Sequence, residues 1–403
     1  MTIAKKKQLN LINFIRRFSI LFFLIIFLSL SPNYIFIFYP ELKFVIAILG
    51  AILALLGICD VRKIFKTYSS LFLFLFYGVL FFTSIISYII YGNLNGVYFS
   101  LSILFKFLIV IIFVMSLKDI DILFLIKILI NIMAVVCLFS LIGEFLYILN
   151  IIAVTNSFEF QTYLYHVISY WGAFTVSFDI YGMKIIRNQS FFQEPGFFAF
   201  YIFITMIFIS IVQKLYSKNH FFILYGLFFL TMLSTLSLTG IALSAILSVY
   251  IFRGVVINSI ASIISMSILT YILISDNPYV NKIGSLDERL YGLINGANVF
   301  YSNPMVFLLG AGYESEPLFM FDGKFNNLFF EILLYSGIFN LFIYMGFIIY
   351  IFRKCYGIKF KYFLVIIYCM TTPLFWSPIM IIFNVVLLRY NGVKQSLLRL
   401  NEK

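Results

Sequence analysis

A short polar cluster at residues 184–196 combines a cation, a carboxylate and a helix-start signal. Proline is favoured at the first position of a helix, so Pro195 predicts a helix start with Glu194 as its N-cap. The free N–H groups of such a helix end attract anions. Arg187 can lie at the same helix end, and an Arg there suits phosphate, which it holds with two parallel bonds. The alternative is an ordinary capped helix with an Arg–Glu pair at the membrane surface.

A second cluster runs from Arg289 and Tyr291 to the Gly-Ala-Gly step at Gly310 and Gly312. Arg289 is again a lone arginine, here in an acidic segment. The two glycines allow tight turns and the close approach of a ligand to the backbone. An ordinary turn is the alternative for this step.

The entry into a later apolar run adds a carboxylate at Glu331. Asn327 and Glu331 are one helical turn apart and therefore share one helix face. A carboxylate inside an apolar span costs a few kcal/mol unless it is paired or hydrated. We therefore predict that Glu331 faces a polar cavity, and Glu144, in an earlier apolar run, invites the same argument.

The composition predicts the kind of secondary structure that holds these side chains. Of 403 residues, 63% are hydrophobic and 11% are charged, whereas a soluble protein has about 25% charged residues. One core could not hide this apolar excess, which excludes a soluble globular protein and also disorder. The apolar runs are too long and too continuous for a porin-type barrel. The predicted class is an all-α, polytopic integral membrane protein.

We predict about twelve transmembrane helices in a single membrane domain, 1–403. The predicted spans are 18–38, 43–59, 69–90, 98–116, 122–149, 196–213, 220–238, 240–252, 255–275, 328–351 and two short helices within 362–388. Pro373 and Pro378 would kink a single helix twice in that last run. Two short helices joined by an outer turn fit this run better.

The basic residues indicate orientation. The chain has 28 Lys and Arg against 16 Asp and Glu. Most of the basic residues fall on one side if the N-terminus is cytoplasmic, as the positive-inside rule requires. Both termini are then cytoplasmic and the net charge does not indicate nucleic-acid binding. Two long extracytoplasmic loops remain, 150–195 and 276–327, and long polar loops on a helical scaffold are where function concentrates.

Three other sequence features give weaker evidence of function. The aromatic residues of 157–181 could stack on sugars, but such rings also gather at membrane interfaces. The two histidines, His166 and His220, have no partner spacing for a metal or a nucleophile site. The Asp119-Ile120-Asp121 step looks like a metal–nucleotide-sugar motif, yet a solvated turn is the better interpretation. We predict no metal and no cofactor.

Several local patterns, in this order, resemble the Wzy-type O-antigen and capsular polysaccharide polymerases. The resemblance covers nearly the whole chain and includes the predicted topology. The matching segments are Arg187 to Glu194-Pro195-Gly196, Thr235-Leu236-Ser237-Leu238-Thr239-Gly240, Arg289 to Gly310-Ala311-Gly312, Asn326-Asn327, and Tyr335-Ser336-Gly337.

The resemblance implies a metal-independent glycosyltransferase of the bacterial inner membrane. A growing glycan on undecaprenyl diphosphate would pass to a new lipid-linked repeat unit at the outer leaflet, with the active site facing the periplasm. Departure of the diphosphate builds negative charge, for which Arg187 and Arg289 are the candidate stabilisers. The acceptor hydroxyl needs a base, with Glu194 as first choice and Glu331 as second.

The same clusters supply Lys184, Tyr291, Gly310, Gly312 and Asn327 as candidate substrate-binding residues. The expected partners are the lipid-linked glycan, membrane lipid and, as a candidate, a chain-length regulator protein. Two alternatives stay open. An O-antigen ligase would usually carry a functional His in the second loop, but 276–327 has none. A lipid-linked oligosaccharide flippase would be expected to have more charges within its spans and shorter outer loops.

Overall fold

The structure is a computed structural model. It describes residues 17–25, 28, 48, 68–92, 94–151, 156–160, 163–168, 173–180, 183–192, 195–252, 294–312, 328–371, 374 and 376–401. The predicted spans 43–59 (residue 48 aside) and 255–275 lie outside these residues. Residues 17–25, at the start of the predicted span 18–38, are helical.

The described chain is mainly helical, and most of its helices coincide with the predicted apolar runs. The exceptions are helical segments at 294–302 and 304–309, inside the predicted second outer loop, and a polar helix at 390–401, after the last apolar run. The helices are α1 (Tyr68–Tyr91), α2 (Leu94–Ser116), α3 (Asp119–Ile148), α4 (Pro195–Ile211), α5 (Lys218–Ser234), α6 (Leu238–Ile251), α7 (Pro304–Leu309), α8 (Leu328–Lys354), α9 (Lys359–Thr371), α10 (Pro378–Leu388) and α11 (Tyr390–Asn401). Residues 294–302 are also helical, and short 3₁₀ turns lie at Gln213–Leu215 and Tyr356–Ile358. The run 362–388 forms two helices, as its prolines predicted.

Four of the described helices are long and apolar enough to cross a membrane. Their membrane-length segments are Leu71–Ile90, Leu94–Ser116, Asp119–Ile148 and Leu328–Lys354. Helices α4, α6 and α10 are apolar but shorter. Apolar helices of this length and number make the chain a membrane-embedded helical protein.

Helix α4 lies at the centre of the bundle. Its residues from Phe198 to Ser210 are all buried, and it packs against α3, α5, α6, α9 and α10. A helix that is apolar on every side needs neighbours or lipid all round, which explains this central place. On the other flank, α1 packs along α2 and α8. Tyr77 of α1 stacks there on Phe107 of α2, with ring centroids 4.5 Å apart.

Two basic side chains link neighbouring helices at one end of the bundle. Arg389, just after α10, forms a 2.5 Å ion pair with Asp119 in the first turn of α3. Its guanidinium also donates to the carbonyl oxygen of Met115, 3.2 Å away. Lys361 of α9 donates to the carbonyl oxygen of Ser210 near the end of α4, where the helix dipole favours a cation. Asp119 is therefore a partner of Arg389 at a helix start.

A four-stranded antiparallel sheet covers the opposite end, in the strand order β1-β2-β3-β4. Its strands are β1 (Asn156–Phe160), β2 (Tyr163–Ile168), β3 (Ala173–Ile180) and β4 (Met183–Ser190). Phe158 pairs with Tyr165, and Val176 pairs with Arg187. The whole sheet falls within the loop 150–195, for which we predicted no strand. Strand β4 lies against α3, α4 and α5 and so anchors the sheet to the bundle.

Helix α8 is broken at Gly337, whose φ of 77° and ψ of 176° are not helical. The break releases two carbonyls from the helix. Leu334 accepts from the backbone N–H of Ala311 at 2.6 Å, and Tyr335 accepts from that of Gly312 at 3.1 Å. Irregular backbone at membrane depth is tolerated when protein covers it. Here the segment after α7 covers it.

Candidate functional site

Arg187 projects from β4 onto the end of α5. Its Nε donates to the carbonyl oxygen of Thr235 at 3.1 Å, and one terminal nitrogen donates to that of Leu236 at 3.4 Å. Carbonyl groups at the C-terminal end of a helix are unsatisfied and favour a cation. The guanidinium is thus partly buried and held at the connection between α5 and α6.

The connection between α5 and α6 is a tight turn, and a serine caps the helix that follows it. Leu236 adopts a left-handed conformation, with φ of 50°. Ser237 then caps α6, because its Oγ accepts from the backbone N–H of Gly240 at 3.4 Å. The C-terminal end of α5 therefore faces Arg187, and α6 begins directly after the turn.

Tyr368 of α9 joins this turn to the start of α4. Its hydroxyl donates to the carbonyl oxygen of Gly196 at 3.4 Å and lies 3.5 Å from Ser237 Oγ. A Cβ at Gly240 would meet Tyr368 Oη at 3.1 Å and Met232 Sδ at 2.6 Å. A side chain at 240 would therefore need Met232 of α5 to shift and Tyr368 to give way slightly. The sequence carried no spacing signal for Tyr368, which is one tyrosine in a long apolar run.

A second polar side chain, that of Asn188, also lies at the C-terminal end of α5. Asn188 donates from Nδ2 to Ser140 Oγ at 3.0 Å and to Ser234 Oγ at 3.1 Å. Glu144, one helical turn beyond Ser140 on α3, lies beside the side chains of Asn188 and Ser234. Glu144 is 6% exposed and Asn188 is 1% exposed. The structure thus brings a carboxylate to the segment next to Arg187.

Glu331 lies in the first turn of α8 and is 6% exposed. Its side chain lies beside Tyr335. Among the described residues, none forms a hydrogen bond to Glu331 Oε2. A buried carboxylate oxygen without a protein hydrogen bond is uncommon in folded proteins, and the polar cavity at Glu331 stays a prediction.

Gly310 and Gly312 adopt the positive φ values that their residue type suggested, 82° and 76°. A Cβ at Gly310 would collide with the backbone of Tyr335 and Ser336. A Cβ at Gly312 would lie 2.7 Å from Ser87 Oγ. Both glycines therefore serve the close contact between the 310–312 segment and α1 and α8, and their role toward a substrate stays a prediction.

Several predicted site residues lie outside the part of the chain that the structure describes: Glu194, Arg289, Tyr291 and Asn327. Pro195 does begin α4, as predicted. Lys184 lies in β4, where its backbone pairs with Asp179. The described residues contain no group of three or more His, Cys, Asp or Glu side chains that could hold a metal ion.

One region beside β4 contains Arg187, the buried carboxylate of Glu144, the C-terminal end of α5 and the start of α6. A guanidinium can stabilise an anion and a shielded carboxylate can accept a proton. Comparison with known proteins adds no identity, since no family model, curated protein or solved structure matches the chain.

Proposed function

We propose that the protein is a polysaccharide polymerase of the O-antigen or capsule type. It would join lipid-linked oligosaccharide repeat units at the outer leaflet of the bacterial inner membrane. The growing glycan leaves its undecaprenyl diphosphate and is bonded to a hydroxyl of the next repeat unit. The proposal begins from the sequence resemblance to Wzy-type polymerases.

The observation that carries the proposal is the meeting of segments that the resemblance identified separately. Arg187 bonds to the turn at Thr235 and Leu236. Through Tyr368, that turn is joined to Gly196. Segments far apart in sequence thus build one region at the end of the bundle that carries the sheet.

Two further resembling segments also pack on each other. The backbone of Ala311 and Gly312 donates to Leu334 and Tyr335 at the break of α8. The Gly-Ala-Gly step and the Tyr-Ser-Gly step are therefore one structural unit. Glu331 lies one turn before Tyr335 of that unit.

The chemistry suits the described residues. Breaking the bond between the anomeric carbon and the diphosphate oxygen leaves negative charge on the diphosphate, which a preorganised cation stabilises. Arg187 is the described candidate, and Arg289 is its proposed counterpart from the second loop. The proton of the acceptor hydroxyl goes to a carboxylate, for which Glu194 and Glu331 are the sequence candidates. The substrate would reach this region from the periplasmic side.

A complementation experiment tests the function against both alternatives. The gene is introduced into hosts that lack the O-antigen polymerase, ligase or flippase but make the matching repeat unit, and surface lipopolysaccharide is viewed on a gel. A polymerase restores a ladder only in the polymerase-deleted host, which otherwise shows core with one repeat unit. Restoration in the ligase-deleted host, which accumulates lipid-linked polymer, or in the flippase-deleted host, which lacks surface O-antigen, would contradict the proposal.

A further inference from the structure

The last turns of α3 carry a buried carboxylate whose surroundings are polar. Ser140 and Glu144 are one turn apart and share a helix face, and they are 2% and 6% exposed. Strand β4 and the end of α5 cover this face. A carboxylate here is not needed for packing, because an apolar side chain of similar size would avoid the cost of desolvating a charge.

Asn188 faces this carboxylate in one fixed orientation. Its Oδ1 accepts from the backbone N–H of Ser190 at 3.0 Å, and its Nδ2 donates to Ser140 and Ser234. Because the backbone N–H can only donate, the amide oxygen and nitrogen are assigned without ambiguity. Ser190 has a φ of 51°, which shapes the chain for this bond. Asn188 is therefore held at both ends, beside Glu144.

Glu144 is tied to the same turn as Arg187. Its neighbours, Asn188 and Ser234, directly adjoin Arg187 and Thr235 in the sequence. The guanidinium and the carboxylate are therefore held at one helix end from two sides. Glycosyl transfer from a diphosphate needs this pairing, a cation for the leaving group and a base for the attacking hydroxyl. Glu331, in contrast, lies in the first turn of α8, beside Tyr335.

We propose that Glu144 is the catalytic base of the transfer reaction, an inference that rests on the proposed polymerase function. The Glu144 carboxylate takes the proton of the acceptor hydroxyl. The freed electron pair of that oxygen forms the new bond to the anomeric carbon of the donor sugar. The bond from that carbon to the diphosphate oxygen breaks, and its electron pair leaves with undecaprenyl diphosphate beside Arg187. The proton then passes from Glu144 to water.

The test uses the full-length protein in membrane vesicles with lipid-linked repeat units as substrate. Glu144→Gln keeps the shape of the side chain but cannot accept the proton. We expect its kcat to fall by at least about 100-fold, the low end for a lost general base, with KM changed by less than about twofold because ground-state binding is kept. Glu144→Asp keeps a carboxylate and should be faster than Glu144→Gln.

The matched control is Asp121→Asn, the same chemical change in the first turn of α3, about 35 Å from Glu144 along the helix. Its rate should equal that of the wild type. Rates are divided by the amount of monodisperse protein after size exclusion, so lost folding is not counted as lost chemistry. A Glu144→Gln rate within about threefold of wild type, while Arg187→Ala is slowed by at least about 100-fold, would overturn the inference and leave the proposed function standing. A wild type that makes no polymer would overturn both.

Discussion

Arg187 donates from Nε to the carbonyl oxygen of Thr235 over 3.1 Å, which joins the strand nearest the bundle to the end of α5. This one bond connects the cluster at 184–196 with the segment 235–240. The guanidinium occupies a helix end whose carbonyls favour a cation, so its position is fixed before any ligand arrives. A preorganised charge of this kind stabilises a transition state without reorganisation.

Replacing Arg187 tests this preorganisation. We expect Arg187→Ala to slow polymerisation by at least about 100-fold, since losing one charge-stabilising donor costs about 10²–10³ in kcat. Arg187→Lys should be intermediate, because an ammonium keeps the charge but lacks the planar fork that bonds to two carbonyls. The measurement is the rate of glycan extension in vesicles.

The control for this series is Lys214→Ala, which removes an exposed cation at the other end of the bundle. It should leave the rate unchanged. Equal activity of Arg187→Ala and the control would remove Arg187 from the mechanism.

The break in α8 gives a prediction about stability. Gly337→Ala should destabilise the protein by about 3 kcal/mol, because alanine is strained at positive φ and overpacking adds to that cost. Its Cβ would collide with the backbone at Leu308 and Leu309. The check is the thermal midpoint of the detergent-purified protein. Gly78→Ala in α1, where nothing lies within 4 Å of the added Cβ, should match or exceed the wild type.

The ion pair at the opposite end should contribute modestly to stability. The side chains of Arg389 and Asp119 are 21% and 34% exposed, so we expect a coupling of about 1 kcal/mol in a double-mutant cycle. Arg389→Ala should cost more than Asp119→Asn because it also loses the bond to Met115. Lys394→Ala, an exposed position on α11, is the control. Additive effects of the two replacements would show that the pair does not couple.

Cysteine labelling tests the predicted orientation. Tyr301 is 92% exposed and falls in the predicted outer loop, so Tyr301→Cys should react with a membrane-impermeant maleimide in intact spheroplasts. Lys394→Cys should react only after lysis. The native Cys137, Cys355 and Cys369 are buried, and Cys59→Ser gives a clean background. The reverse pattern would place the sheet end of the bundle in the cytoplasm.

The helices were predictable because long apolar runs and proline positions mark them strongly. Pro195 begins α4, as predicted, and Pro378 begins α10, the second of the two helices predicted within 362–388. The sheet at 156–190 was missed because its aromatic residues were attributed to the membrane interface. The alternation from Ala173 to Ile180 was the available signal, since polar and apolar residues alternate along part of it.

The candidate site was predictable only in part. Arg187 stood out as a lone arginine in a short cluster, and the glycines at 310 and 312 have the positive φ that their type allows. The link from Asn188 to Ser140 and Ser234 depends on how β4 crosses two helices. No local spacing encodes such a contact, so Glu144 gained its polar surroundings only in the folded chain.

The most direct measurement of the central claim is reconstitution of the purified protein with undecaprenyl-diphosphate-linked repeat units in liposomes. We predict a ladder of lipid-linked glycans, with one undecaprenyl diphosphate released for each bond formed, and both products formed at least about 100-fold more slowly by Arg187→Ala. Repeat units that stay unextended with the wild-type protein, while still being present at the accessible leaflet, would contradict it.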